Sequence, residues 1–139
     1  MIIFSSDMSI VFTNGCFDVI HYGHIKLFEH CRKLAGCGRV IVGINSDDSV
    51  RRLKGFERPI FSLEKRVSVL KALRDVDEII PFIDDTPLSL IKTIRPDVIV
   101  KGGDYKPEEV VGYGFCKVEI FNFIDGFSTT GIIKSLSRG

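Results

Sequence analysis

A chain of 139 residues, 45% of them apolar, is long and apolar enough for one globular domain with a real core. A net charge of +1, with 19 basic residues spread along the chain, excludes the basic face that nonspecific nucleic-acid binding requires. No apolar run approaches the ~20 residues of a membrane span, and the apolar start at residues 1–4 lacks the basic region and cleavage pattern of a signal peptide.

In chain order, residues 9–13 read as a first strand and 23–34 as an amphipathic helix closed by Gly36 and Gly38. Residues 39–44, Arg-Val-Ile-Val-Gly-Ile, form the continuous apolar run of a strand buried on both faces. Ser46 or Asp47 caps a short helix running to about Leu53. Ser62 caps a second helix over 63–73, with Val67, Leu70 and Leu73 at helical spacing. Residues 78–82 are a third strand. Thr86 caps a helix with Pro87 at its first position, running to about Ile94 and ended by Arg95-Pro96. Residues 97–100 and 118–121 are strands four and five, and 129–136 a final helix. Strands alternating with helices predict an α/β fold, a doubly wound, Rossmann-like parallel sheet of about five strands in one domain. Ligands of such sheets bind at the carboxyl ends of the strands, near the switch in strand order.

The chemistry concentrates at three of those ends. His21 and His24 stand one turn apart where the first strand becomes a helix, a place that attracts phosphate. Two imidazoles there suit hydrogen bonding to phosphate oxygens as charge builds in a transition state. Ordinary capping is the plainer account of a lone histidine, but a pair at i and i+3 with Gly23 between and Gly15 before is more specific. A metal pair with Asp18 as third ligand is the rival account, and the metalloprotease HExxH spacing is absent. Lys101, Gly102, Gly103 and Asp104 read as a loop at the end of strand four, where glycines admit a base or sugar close to the backbone. Ser128, Thr129 and Thr130 precede the final helix and exceed what one cap requires. Lys54 ends a basic run at a helix C-terminus, where cations suit the dipole. Arg66 lies on a helix whose other face is apolar, the setting of an ordinary surface arginine. The four cysteines, Cys16, Cys31, Cys37 and Cys116, form no CxxC pair and read as reduced thiols of a cytoplasmic protein. His30, Cys31 and Cys37 fit no zinc spacing, so no protein metal site is expected.

The run Asn14-Gly15-Cys16-Phe17-Asp18-x-x-His21-x-Gly23-His24 resembles the signature of the cytidylyltransferase-like nucleotidyltransferases. Arg52-Leu53-Lys54-Gly55, Arg58-Pro59, Lys101-Gly102-Gly103-Asp104-Tyr105-Lys106-Pro107-Glu108-Glu109 and Asn122-Phe123-x-Asp125-Gly126-x-Ser128-Thr129-Thr130 extend the likeness over residues 11–136. The Lys101 run is similar to the heptose 1-phosphate adenylyltransferase branch. Phe123 stands where glycerol-phosphate cytidylyltransferases carry arginine. Between Gly112 and Val118 the chain is shorter than the family pattern.

The resemblance implies that AMP passes from ATP to a sugar 1-phosphate with release of pyrophosphate, giving an ADP-heptose for surface polysaccharide. It makes His21, His24, Lys54 and Arg66 catalytic. It makes Thr13, Asn14, Gly15, Cys16, Phe17, Asp18, Gly23, Lys101, Gly102, Gly103, Asp104, Phe123, Ser128, Thr129 and Thr130 nucleotide-binding. It implies Mg²⁺ held mainly through ATP phosphates, a homodimer, and a separate kinase to supply the phosphosugar. The alternatives are a CTP-dependent enzyme acting on glycerol 3-phosphate or another alcohol phosphate, and a non-catalytic nucleotide-binding module.

Overall fold

The computed structural model describes residues 8–122. Five parallel strands form one sheet in the order β3-β2-β1-β4-β5, with β1 at Ile10–Gly15, β2 at Arg39–Asn45, β3 at Glu78–Phe82, β4 at Val98–Gly102 and β5 at Lys117–Phe121. Helices α1 (Tyr22–Ala35), α2 (Asp47–Lys54), α3 (Leu63–Lys71) and α4 (Leu88–Ile94) connect them. The chain therefore winds outward one way from β1 and then the other, and the order reverses between β1 and β4.

Alternation along the strands feeds two cores. Val11, Val40, Val42, Ile44 and Val100 face one side and pack with Leu27, Phe28, Cys31 and Ala35 of α1 and Leu70 of α3. Phe12, Ile41 and Ile99 face the other and pack with Ile91 of α4 and Val110. A sheet covered on both faces explains why β2 reads as an unbroken apolar run. Gly43 interrupts that run because a Cβ there would meet the Phe12 ring at 2.8 Å.

The helix starts follow local chemistry. Ser46 caps α2 by accepting from Ser49 N–H at 3.2 Å, and Ser62 caps α3. Several boundaries differ from the sequence expectation. β1 continues through Asn14 and Gly15, because pairing with β2 extends to Gly15 beside Ile44. β4 likewise includes Lys101 and Gly102, which pair with Ile120 and Phe121. They end a strand rather than form a loop. α3 stops at Lys71, with Ala72 as its cap. Pro87 is the residue before α4, not its first position. Its ψ of 15° departs from helix, and the Thr86 hydroxyl accepts from Leu88 N–H at 3.5 Å. The expected final helix lies outside the described residues.

Candidate active site

The first strand delivers the chain into a tight loop, residues 16–20, before α1. Phe17 adopts φ 46°, in the left-handed region, and this turns its ring inward to 6% exposure. A Cβ on Gly15 would meet that ring at 3.2 Å, so the glycine admits it. The Phe17 ring then meets His24 edge-on and Phe28, both at 5.4 Å between centroids.

His21 and His24 cap α1 reciprocally. His21 Nδ1 accepts from Gly23 N–H at 3.0 Å, and His24 Nδ1 accepts from His21 N–H at 3.2 Å. This is a capping box with imidazoles in place of Ser and Glu. Two consequences follow. The Gly23 amide is spent on His21 rather than on a ligand. Both Nδ1 atoms are acceptors, so each neutral ring carries its proton on Nε2 and donates from there. Burial lowers the pKa of both rings; for His24 burial, then His21 and Lys54, take it to about 3. At neutral pH the pair is uncharged.

His24 opens on a cleft of about 190 Å³ lined also by Asn14, Gly15, Cys16, Lys54, Lys101 and Gly102. It lies at the carboxyl ends of β1 and β4, where the strand order reverses, the place such sheets bind ligands. Lys54 reaches it from the end of α2 and Lys101 from the end of β4. Burial lowers the Lys101 pKa, and Lys54 adds to the effect. Two cations held near each other in a partly dry cleft favour an anionic ligand. Lys101 also lies over the Tyr105 ring, 5.3 Å from its centroid. Cys16 lines the cleft, but burial raises its thiol pKa against the pull of Lys54 and Arg66. It is a thiol there, not a thiolate nucleophile.

Two expected site residues behave differently. Arg66 is 1% exposed, and its guanidinium is committed to protein acceptors: Phe61 O at 3.0 Å, Cys16 O and Asn45 O at 2.8 Å, and Asp47 Oδ1 at 2.7 Å. This replaces the surface arginine of the sequence expectation with a buried one. The end of β2 and the two loops beside it leave carbonyls that a buried, forked donor satisfies together. Asp18 borders the cleft, yet its carboxylate accepts Ile60 N–H at 2.7 and 2.8 Å and Phe61 N–H at 3.0 Å, with Arg58 at 3.7 Å. It holds the protein backbone of residues 60 and 61.

The remaining expected residues divide by place. Thr13 is buried behind the cleft, and its hydroxyl has no hydrogen-bond partner among the described residues. Gly103 gives its N–H to Phe121 O at 2.9 Å, and Asp104 is exposed beside it. Neither lines the cleft. Phe123, Ser128, Thr129 and Thr130 lie outside the described residues. Asp47, Arg58 and Phe61 escaped the sequence reading as parts of the site. Asp47 was visible only as a helix cap and Arg58 only as part of a motif. A second, more open cleft between α2 and the end of β3 carries Asp48, Arg51, Arg52 and Asp85, whose charges pair with one another as Arg51–Asp48 and Arg52–Asp85.

Residues 12–134 match the family model described as cytidylyltransferase-like, and the chain belongs to that family. It is 52% identical over 130 residues to the bifunctional protein HldE of Helicobacter hepaticus, and 52% identical over 132 residues to that of Haemophilus influenzae. Those matches cover 93% and 91% of this chain but 27% of each relative, so the chain spans about a quarter of the length of the curated relatives it matches. Among solved structures, a lipopolysaccharide core biosynthesis protein from Thermoplasma volcanium aligns with TM-score 0.66 and 25% identity, covering 84% of this chain and 97% of that one. A macrolide-efflux protein from Streptococcus pneumoniae shares the fold, with TM-score 0.68 and 24% identity over 92% of this chain and 52% of that one.

Proposed function

We propose that the chain transfers AMP from ATP to a sugar 1-phosphate, heptose 1-phosphate, and releases pyrophosphate. The observation that carries this reading is the reciprocal cap that holds His21 and His24 through their Nδ1 atoms, with His24 opening on a cleft that Lys54 and Lys101 also line at the strand-order switch. A phosphate oxygen of the sugar 1-phosphate attacks the α-phosphorus in line. The bond from that phosphorus to the bridging oxygen breaks, and its electron pair leaves with pyrophosphate. His21 and His24 would donate from Nε2 to the oxygens that gain charge. Lys54 and Lys101 would neutralise the phosphates, and positioning supplies the rest, as in phosphoryl transfer generally. No covalent intermediate is needed, consistent with Cys16 as a thiol.

Among the described residues Asp18 is the one carboxylate lining the cleft, and its oxygens already accept backbone amides. That donor set fits a Mg²⁺ held through ATP phosphates, where it would neutralise charge on the triphosphate. Substrate choice rests on the run from Lys101 to Glu109 and on the similarity to HldE. In the same reading the protein is a cytoplasmic homodimer. No helix among the described residues is long and apolar enough to cross a membrane. The test is pyrophosphate release with Mg-ATP and Mg-CTP against a panel of phosphosugars and alcohol phosphates. The expected result is turnover with ATP and heptose 1-phosphate; no release with any pair would reject the reading.

A further inference from the structure

Phe61 is gripped from both sides of its backbone. Its N–H donates to Asp18 Oδ1 at 3.0 Å, and its carbonyl accepts from Arg66 Nε at 3.0 Å. Ile60 N–H adds contacts to both Asp18 oxygens. Asp18 belongs to the loop that leads into His21, and Arg66 to α3. Both charges are buried, at 2% and 1% exposure. Residues 55–61, the strap joining α2 to α3, are thus pinned on the histidine loop by one buried charge of each sign.

The same arginine reaches further. It ties Cys16 O, in the histidine loop, to Asn45 O, at the end of β2, and to Asp47 Oδ1, in the first turn of α2. Asp47 Oδ1 also accepts Leu63 N–H at 2.8 Å, which closes the start of α3 on the start of α2. Lys54 ends α2, immediately before the strap. Its position is therefore set at the start of α2 by Asp47 and beyond Gly55 by the strap. Gly55, at φ 104° with nothing within 4 Å of a built Cβ, supplies no packing of its own. Buried charges persist where every hydrogen bond is satisfied, and there they rigidify what they touch.

We infer that Asp18 and Arg66 are positioning residues: through Phe61 and Asp47 they hold Lys54 at the cleft that His24 also lines, and neither contacts substrate. The kinetic part of this inference rests on the nucleotidyl-transfer reading; the structural part does not.

The test uses Asp18→Asn, which keeps the shape and drops the charge, and Arg66→Lys, which keeps the charge and drops the fork. Amide exchange is measured first, without substrates. Exchange at Ile60 and Phe61 should quicken roughly tenfold or more in both variants, while Leu27 and Phe28 in α1 keep their rates. Pyrophosphate release is measured second. Each variant should lose about tenfold or more in kcat/KM, and Asp18→Asn added to Lys54→Ala should cost no more than about twofold beyond Lys54→Ala alone.

A direct substrate contact would instead multiply the two losses. A merely structural role would lower Tm and leave kcat/KM per folded molecule unchanged. Either result, or unchanged exchange at residues 60 and 61, overturns the inference. If Arg66→Lys does not fold, Asp47→Asn, at a half-exposed position, should quicken exchange at Leu63 and show the same non-additivity with Lys54→Ala. If the wild-type protein releases no pyrophosphate from any nucleotide, the functional reading fails, and exchange alone decides the positioning inference.

Discussion

The rings of His21 and His24 stack at 3.8 Å between centroids, inclined by 30°, and His21 offers its own backbone N–H to the Nδ1 of His24. One residue thus sets both the start of α1 and the tautomer of its neighbour. The second imidazole is buried between His21 and the edge of Phe17, so it stays uncharged and directed.

His24→Ala removes a preorganised donor. It should lower kcat by about 10²–10³-fold, with a smaller change in ATP affinity. It also removes one half of the capping box, which costs roughly 1 kcal/mol. Steady-state pyrophosphate release and thermal melting separate the two effects, and near-normal turnover would refute the assigned role.

The same histidine makes stability depend on pH. Its folded pKa of about 3 lies below the ordinary 6.5, so between these values the unfolded chain binds a proton that the folded chain refuses. Stability should therefore fall as pH drops from about 6.5 toward 3, with a slope approaching about 1.4 kcal/mol per pH unit for this one group. Denaturant unfolding across that window should show a shallower slope in His24→Asn. Equal slopes in the two proteins would mean that His24 is not held neutral.

Cys16 lies in the cleft with its pKa raised by burial, and in-line attack by a phosphosugar needs no thiolate. Cys16→Ala should keep substantial activity, and the wild-type thiol should react slowly with alkylating reagents at neutral pH. A folded but inactive Cys16→Ala protein would show the mechanism to be incomplete.

Gly43 faces the Phe12 ring across the sheet, where a Cβ would sit 2.8 Å from Phe12 Cζ and 3.3 Å from Leu90. Gly43→Ala should therefore destabilise the protein by about 1–3 kcal/mol through overpacking, without touching the cleft. Calorimetry should show a lowered Tm, and kcat per folded molecule should be unchanged.

Substrate choice gives the last prediction. Polar groups set to bind hydroxyls discriminate strongly for substrates that carry them. Compared by kcat/KM in one buffer, heptose 1-phosphate with Mg-ATP should exceed glycerol 3-phosphate with Mg-CTP. The reverse order would overturn the sugar assignment and leave nucleotidyl transfer standing.

The sequence by itself determined the five strands, helices α1 to α4 and the family. Helical spacing, the Ser46 and Ser62 caps and the apolar run of β2 are local signals, because neighbouring residues within one turn or one strand write them. The spacing of His21 and His24 was equally legible, since a capping box spans three residues. Tertiary structure decided the strand order, because parallel neighbours pair across long connections that leave no local trace. It also decided what Asp18 and Arg66 do. Asp18 in its motif reads as a ligand and Arg66 as a surface charge, and only the carbonyls and amides gathered from the histidine loop, β2 and the strap turn each into a buried support. Those partners lie up to 50 residues away in the chain, so the burial that redirects each charge exists only once the sheet ends have met.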